Sequence, residues 1–423
     1  MSSTSRERAQ QLDRRDELSE FRDRFCIPKT DDGDDVLYLC GNSLGLQPTE
    51  TSEYIDAELA TWAQQGVEGH FDEDAPWYSY HELLSEPLAD IVGANPREVV
   101  AMNSLTTNLH LLMVSFYRPT DERFKIMIEG GAFPSDRYAV ASQADFHGYD
   151  PEEAIVELTP RDGEHRLRTE DIEAAIERHG DELALVMLGG VNYYTGQFFD
   201  LERITEAGHG VGAQVGFDLA HAAGNVELKL HDWGPDFAAW CSYKYLNAGP
   251  GAVSGVFVHD RHADAVDLPR FAGWWGTDPE TRFDMGPTFE PQSGAAGWQL
   301  SNAPILSMAA LRASLALFSE AGMDALCEKS RKMTGYLLEL LDELPGDRFE
   351  VITPGEPDAR GCQVSIYAHD GADALYADLQ DADVVCDYRK PGVIRIAPVP
   401  LYNSFEDVWK FWRVLADQID AGS

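Results

Sequence analysis

Phe237-Ala-Ala-Trp-Cys-Ser-Tyr-Lys-Tyr-Leu-Asn-Ala-Gly-Pro-Gly-Ala-Val-Ser-Gly-Val-Phe-Val-His259 sets one lysine, Lys244, between two tyrosines in a segment otherwise apolar and rich in glycine. The apolar runs Phe237 to Cys241 and Ala252 to Val258 read as buried strands, so Lys244 falls just past a strand end, before a Gly/Pro turn. Desolvation favours a neutral amine, the form that a Schiff-base nucleophile needs. The plain alternative is a lysine that snorkels to water from the strand end.

Working outward, the run Ala213 to Gly216 leads into Gly216-Phe-Asp-Leu-Ala-His-Ala-Ala-Gly-Asn-Val-Glu-Leu228. Asp218 then sits at the carboxyl end of an expected parallel strand, where open α/β sheets bind ligands. A carboxylate on one strand end and a lysine on a later one are what pyridoxal phosphate requires. The amine condenses with its aldehyde, and the anion keeps the pyridine nitrogen protonated so that the ring accepts electrons.

These residues also carry a resemblance. Asp218 to His221 and Ser242 to Lys244 resemble the cofactor signatures of fold-type-I pyridoxal-phosphate enzymes. The fuller wording, together with Cys241-Ser-Tyr-Lys-Tyr-Leu-Asn-Ala-Gly249, resembles the kynureninase family, and the likeness runs from about Tyr38 to about Trp412.

Composition bounds the rest. The chain has 423 residues, 44% apolar and 10% aromatic, which is globular and long enough for two or three domains. Its net charge of −40 leaves no basic patch for phosphate backbones and excludes nucleic acid as a partner. The acids are spread along the chain (Asp31 to Asp35, Asp72 to Asp74, Asp381 to Asp383), as on a solvated surface adapted to high salt. Six scattered cysteines show no metal spacing, so no metal is expected. Residues 1–24 are charged throughout and no run nears the ~18 apolar residues of a membrane span, so a cytoplasmic protein is expected.

Along the chain, residues 1–35 read as an amphipathic helix (Leu12, Leu18, Phe21, Phe25) and an acidic loop. Strands at Val99 to Met102, Phe124 to Glu129, Ile155 to Leu158, Leu183 to Leu188 and Ala213 to Phe217 alternate with helices, which argues for a parallel, doubly wound α/β sheet. The string Gly208-x-Gly210-x-x-Ala213 fits a dinucleotide fingerprint, but it ends a helix and precedes a strand, the wrong order for one. Asn103 to His110 opens a helix rich in hydroxyls, whose free N–H groups and dipole suit a phosphate. Taken by itself, the segment is better explained by ordinary N-capping. Beyond Ile305 come two helices broken near Gly322, short strands at Cys362 to Tyr367, Val384 to Asp387 and Val393 to Ile396, and a closing helix at Phe405 to Ile419. The expected units are an N-terminal segment 1–48 packing with the small domain, a large domain 49–305 with a mostly parallel seven-stranded sheet, and a smaller α+β domain 306–423.

The resemblance implies hydrolysis of L-kynurenine, or its 3-hydroxy derivative, to an anthranilate and L-alanine. It implies a homodimer with shared active sites. Lys244, Tyr243 and Asp218 would be catalytic. Leu105 and Thr106 would bind the cofactor phosphate, Phe133 would stack on its ring with Asp136 beside it, and His221, Trp274 and Asn302 would complete the cofactor site. Arg395 would clamp the substrate carboxylate, with His70, Ser301 and Asn302 near the substrate ring. The family usually has a hydroxyl-bearing residue where this chain has Gly189. Rival readings are a cysteine desulfurase or an aminotransferase, which share the lysine and aspartate, and a binding protein that has lost catalysis. A desulfurase needs an exposed nucleophilic cysteine.

Raising NaCl from about 0.1 M to about 2 M should raise the melting temperature, because screening relieves the self-repulsion of the 73 acidic residues. A melting temperature indifferent to salt would mean that the acidity has another cause.

Overall fold

In the computed structural model, which describes residues 4–346 and 348–421, the apolar runs assemble into one seven-stranded sheet. Its strands are β1 (Val99–Ala101), β2 (Lys125–Glu129), β3 (Ile155–Leu158), β4 (Leu183–Gly189), β5 (Gln214–Asp218), β6 (Phe237–Trp240) and β7 (Gly255–Val258). Their spatial order is β1-β7-β6-β5-β4-β2-β3. Strands β2 to β6 pair in parallel. They read as unbroken apolar runs because both faces are covered. Met127, Val186, Val215 and Ala238 belong to one buried core, and their neighbours Ile126, Leu185, Phe237 and Ala239 to another.

Strand β7 runs antiparallel to β6 and to β1. Parallel neighbours need a crossover, usually a helix, and residues 241–254 between β6 and β7 contain none. The chain therefore turns straight back, and Lys244 rides on that turn. Sheet order reverses at β2: β3 lies on one side of it, β4 to β6 on the other. Such a reversal opens a crevice at the carboxyl ends of the strands. Glu129, Gly189 and Asp218 are the last residues of β2, β4 and β5. Close packing beside the site needs Gly216, where an added Cβ would lie 2.1 Å from Cζ of Phe237.

The second sheet is antiparallel, with β8 (Phe349–Val351), β9 (Val364–Ala368), β10 (Asp387–Arg389) and β11 (Val393–Ile396) in the order β8-β9-β11-β10. Helices Met323–Leu341 and Phe405–Ala421 back it, Leu337, Leu340, Phe411 and Leu415 sharing a core with Ile366 and Ile394. The expected strand Val384 to Asp387 is split in two. Val384–Val385 pairs with Leu37–Tyr38, and Asp387 starts β10.

The N-terminal helix is shorter than its apolar spacing predicts. It covers Arg6–Asp13, a 3-10 turn covers Ser19–Arg24, and Phe25 is buried in a two-residue strand against Gln47–Pro48. Tertiary bonds break it. The Asp13 carboxylate accepts the Phe405 and Glu406 N–H groups at 2.7 and 3.0 Å, capping the last helix, and Asp16 forms a buried ion pair with Lys329 at 2.7 Å. Among the described residues no single helix is long and apolar enough to cross a membrane.

Candidate functional site

The crevice holds a pocket lined by Leu105, Thr106, Phe133, Asp136, Asp218, His221, Tyr243 and Lys244, eight of the residues expected from sequence. Helix Leu105–Phe116 points its first turn into it, with Ser104 as the N-cap residue. First-turn N–H groups have no intrahelical acceptor and face a positive dipole end, so this wall suits an anion such as a phosphate.

Lys244 Nζ lies 2.9 Å from Nε2 of His221 and 5.8 Å from the Phe133 ring centroid. Burial holds His221 well below the usual imidazole range, and the charges of Lys244, Arg395 and Arg389 push the same way. The ring is neutral, and its buried Nδ1 has no protein partner among the described residues. Asp218 is buried, and its Oδ1 accepts the Ala220 N–H at 2.7 Å. Burial raises its pKa, against the Ala220 N–H, the charge of Lys244 and a hydrogen bond from Asp136. Asp136 is raised further, by burial and by the charge of Asp218. The pair therefore shares one proton, which resides on Asp136 while Asp218 keeps the charge.

These observations fit pyridoxal phosphate. A lysine amine, a buried carboxylate across the pocket, an aromatic wall at Phe133, a helix start and an orphaned polar atom on His221 are together the donor set that the cofactor needs.

Tyr193 and Glu129 also line the pocket and escaped sequence reasoning. Glu129 ends a parallel strand, the same signal that singles out Asp218. Its Oε2 accepts the Gly189 N–H at 3.0 Å and its Oε1 the Asn192 amide at 3.3 Å. An added Cβ on Gly189 would meet Oε1 at 3.2 Å, so the carboxyl occupies the side-chain space of Gly189. Burial pushes the pKa of Glu129 up to about 7; the Gly189 N–H opposes this, the charge of Asp218 adds to it and the Asn192 amide opposes it.

Arg395 is buried on β11 and, against expectation, does not line the pocket; its guanidinium carbon lies 5.9 Å from the centroid of the Tyr193 ring, which does. Its Nη1 donates to the Tyr193 carbonyl at 2.8 Å, and its Nη2 to Asp387. Asp387 also accepts Ser43 Oγ at 2.6 Å and Arg389 at 3.0 Å. Nε of Arg395 is buried without a partner.

His70, Trp274, Ser301 and Asn302 do not line this chain's pocket. His70 lies on a 3-10 turn, Gly66–Phe71, rather than a plain loop, and its ring packs on Trp77 at 5.4 Å. Trp275 N–H bonds the Leu300 carbonyl at 3.2 Å, setting Trp274 beside the exposed Ser301 and Asn302. The ring of Phe71 stacks on Tyr78, Tyr78 on Phe283, and Phe283 meets Trp274 edge-on, an exposed aromatic face.

No cysteine lines the pocket. Cys362 and Cys327 are buried, and burial pushes their thiols up to about 12 and about 11, the opposite of an activated nucleophile.

Comparisons with known proteins agree with this chemistry. A family model described as "Kynureninase C-terminal domain" matches residues 326–415. A kynureninase of Myxococcus xanthus is 61% identical over 407 residues, covering 96% of each chain. One of Nematostella vectensis is 49% identical over 433 residues, covering 97% of this chain and 93% of its own. Among solved structures, a cysteine desulfurase of Escherichia coli superposes with a TM-score of 0.76 at 17% identity, covering 96% of this chain and 98% of its own. C-DES, with glycine covalently linked to its PLP cofactor, gives 0.73 at 18% identity, covering 90% and 96%. At such identities the structures share the fold alone.

Glu129 yields a pH signature. With a folded pKa near 7 against about 4.3 unfolded, its contribution is full below pH 4.3 and is lost as pH rises through 7, about 4 kcal/mol in all. In urea denaturation of the apoprotein, Glu129→Gln should match wild type near pH 5 and exceed it near pH 8. Parallel pH curves would show that Glu129 does not titrate in this range.

Proposed function

The chain belongs to the kynureninase family, and we propose that the Lys244 pocket performs the family's reaction in a site shared between two copies of the chain. The reaction is hydrolysis of L-kynurenine to anthranilate and L-alanine, a step of tryptophan catabolism. The Cβ–Cγ bond breaks, the hydroxyl of water goes to the aryl carbonyl carbon, and a proton goes to Cβ of the alanine. Pyridoxal phosphate, when bound, supplies the aldehyde that captures the substrate amine and a ring that accepts electrons.

The chain's residues do the rest. Lys244 Nζ is the base that moves the Cα proton, held by the neutral His221 at 2.9 Å. Asp218 keeps the charge that holds the ring nitrogen protonated, because Asp136 takes the shared proton. The free N–H groups of Leu105 and Thr106 would hold the phosphate, and Phe133 would cover the ring. Tyr243, whose hydroxyl is raised by burial and by the neighbouring Cys241, stays a neutral donor that orients the phosphate. Arg395 is the cation for the substrate carboxylate, to which it offers Nε, its Nη1 and Nη2 being engaged by the Tyr193 carbonyl and Asp387.

The single observation that carries this reading is the half-buried lysine in contact with a neutral histidine, facing a buried charged carboxylate in a pocket without cysteine. The exposed aromatic face supports docking of a second copy, because a patch of that kind on a soluble chain marks an interface. Docking there would bring the partner's surface with His70, Trp274, Ser301 and Asn302 to this pocket. An imidazole and an amide beside the substrate ring would pair the hydroxyl of 3-hydroxy-L-kynurenine. Six unpaired cysteines fit a reducing compartment, the cytoplasm.

Purified protein incubated with L-kynurenine should release fluorescent anthranilate, and borohydride should fix the cofactor on Lys244. Arg395→Gln should lower kcat/KM by about 2 kcal/mol, mainly through KM. No turnover, or a label on another lysine, would sink the assignment. For the shared site, Lys244→Ala and Asn302→Ala chains, each impaired alone, should regain activity when mixed, since the mixed dimer contains one intact site. Failure to recover would leave Asn302 acting within its own chain.

A further inference from the structure

A second cavity lies between helix Met323–Leu341 and the segments around residues 198, 225–233 and 357–360. It adjoins the Lys244 pocket through Asn225, whose Nδ2 donates to the His221 carbonyl at 2.8 Å and whose Oδ1 accepts the Cys362 N–H at 2.8 Å.

Its notable group is Arg360, 5% exposed. Nε donates to Thr334 Oγ1 at 3.1 Å, and Nη1 to the carbonyls of Pro354 and Gly355 at 3.1 and 2.6 Å. Nη2 has no protein partner among the described residues, and no carboxylate stands within ion-pair distance of the guanidinium. Burying a guanidinium without a counter-anion is costly. In a chain with 73 acidic residues against 33 basic ones, a carboxylate for it would be easy to find.

The other charges on the cavity wall already have partners. Lys229 pairs with Glu227 at 3.0 Å and Arg331 with Asp358 at 3.1 Å. Arg360 is left without a paired carboxylate, the more distant charges of Glu356 and Asp358 being outweighed by its burial, at a site with a second free donor: the Trp233 indole N–H also lacks a protein partner among the described residues. The apolar part of the wall is the rings of Phe198 and Trp233, 6.5 Å apart and tilted by 46°, with Val226 and Pro357.

We propose that this cavity binds a small aryl carboxylate, its carboxylate on Arg360 Nη2 and Trp233 Nε1 and its ring against Phe198 and Val226. A bare inorganic anion would leave the aromatic walls unused, and a neutral arene would leave Arg360 uncompensated. The aryl product of the reaction described above has this chemistry, so the enzyme's own product falls within the ligand class; that last link rests on the proposed function, and the site itself does not.

The probe is benzoate, titrated calorimetrically into holoenzyme. Because the active site also takes carboxylates, the titration is run on wild type and on Arg395→Gln. A benzoate site that survives Arg395→Gln, weakens about tenfold or more in Arg360→Gln and weakens in Trp233→Leu supports the proposal. Trp233→Leu leaves the bonds of Arg360 in place, and its turnover of L-kynurenine should stay within about twofold of wild type. Benzoate binding abolished by Arg395→Gln, or unchanged in both cavity variants, overturns it. Sulfate binding as tight as benzoate, and lost in the same variants, overturns the aryl assignment. Turnover of L-kynurenine is read separately, so a failure here and a failure of the proposed function are distinct results.

Discussion

Three carboxyl groups, a histidine and a lysine converge at one edge of one sheet, and the site depends on how few of them carry charge. Glu129, Asp136 and Asp218 all end or follow parallel strands on the same side, and burial raises all three. Three anions so placed would repel one another at several kcal/mol each in a low dielectric. The arrangement resolves this by leaving the charge on Asp218, which has the Ala220 N–H and Lys244 to compensate it, and by protonating Asp136. His221 meets the same constraint from the other side. It stays neutral beside Lys244, so the lysine is held without a second cation.

The topology supplies the geometry. Parallel strands deliver their carboxyl ends to one edge, and the reversal of order at β2 opens the crevice there. The helix-free return from β6 to β7 then carries the lysine to the same edge. Gly189 and Gly216 let backbone and side chains approach closely, one against the Glu129 carboxyl and the other against the Phe237 ring. Arg395 comes from the second sheet, so the pocket and its arginine sit on two different cores joined through Tyr193.

Much of this was legible beforehand. Long apolar runs located the strands of the large sheet to within three residues, Ala252 against Gly255 being the widest miss, because a fully buried strand leaves an unmistakable composition. Lys244 and Asp218 stood out as charges at the ends of such runs. Glu129 has the same signature and was passed over, since the last residue of a strand reads as a solvated end until its neighbours are known. The N-terminal helix failed for a related reason. Leu12, Leu18, Phe21 and Phe25 have plausible helical spacing, but Asp13 and Asp16 are drawn to the last helix and to Lys329, contacts hundreds of residues away in sequence.

The sequence by itself determined the doubly wound sheet, the lysine and aspartate at its edge, the phosphate-friendly helix start and the large negative charge, because each is a local pattern of polarity. Only the tertiary structure decided which residues meet. It set Asp387 against Arg395, folded Glu129 over Gly189, left Arg360 buried without a paired carboxylate, and kept His70, Trp274, Ser301 and Asn302 out of the lining of their own chain's pocket. Those outcomes depend on distances between segments far apart in the chain, and burial and charge compensation have no value until those distances exist.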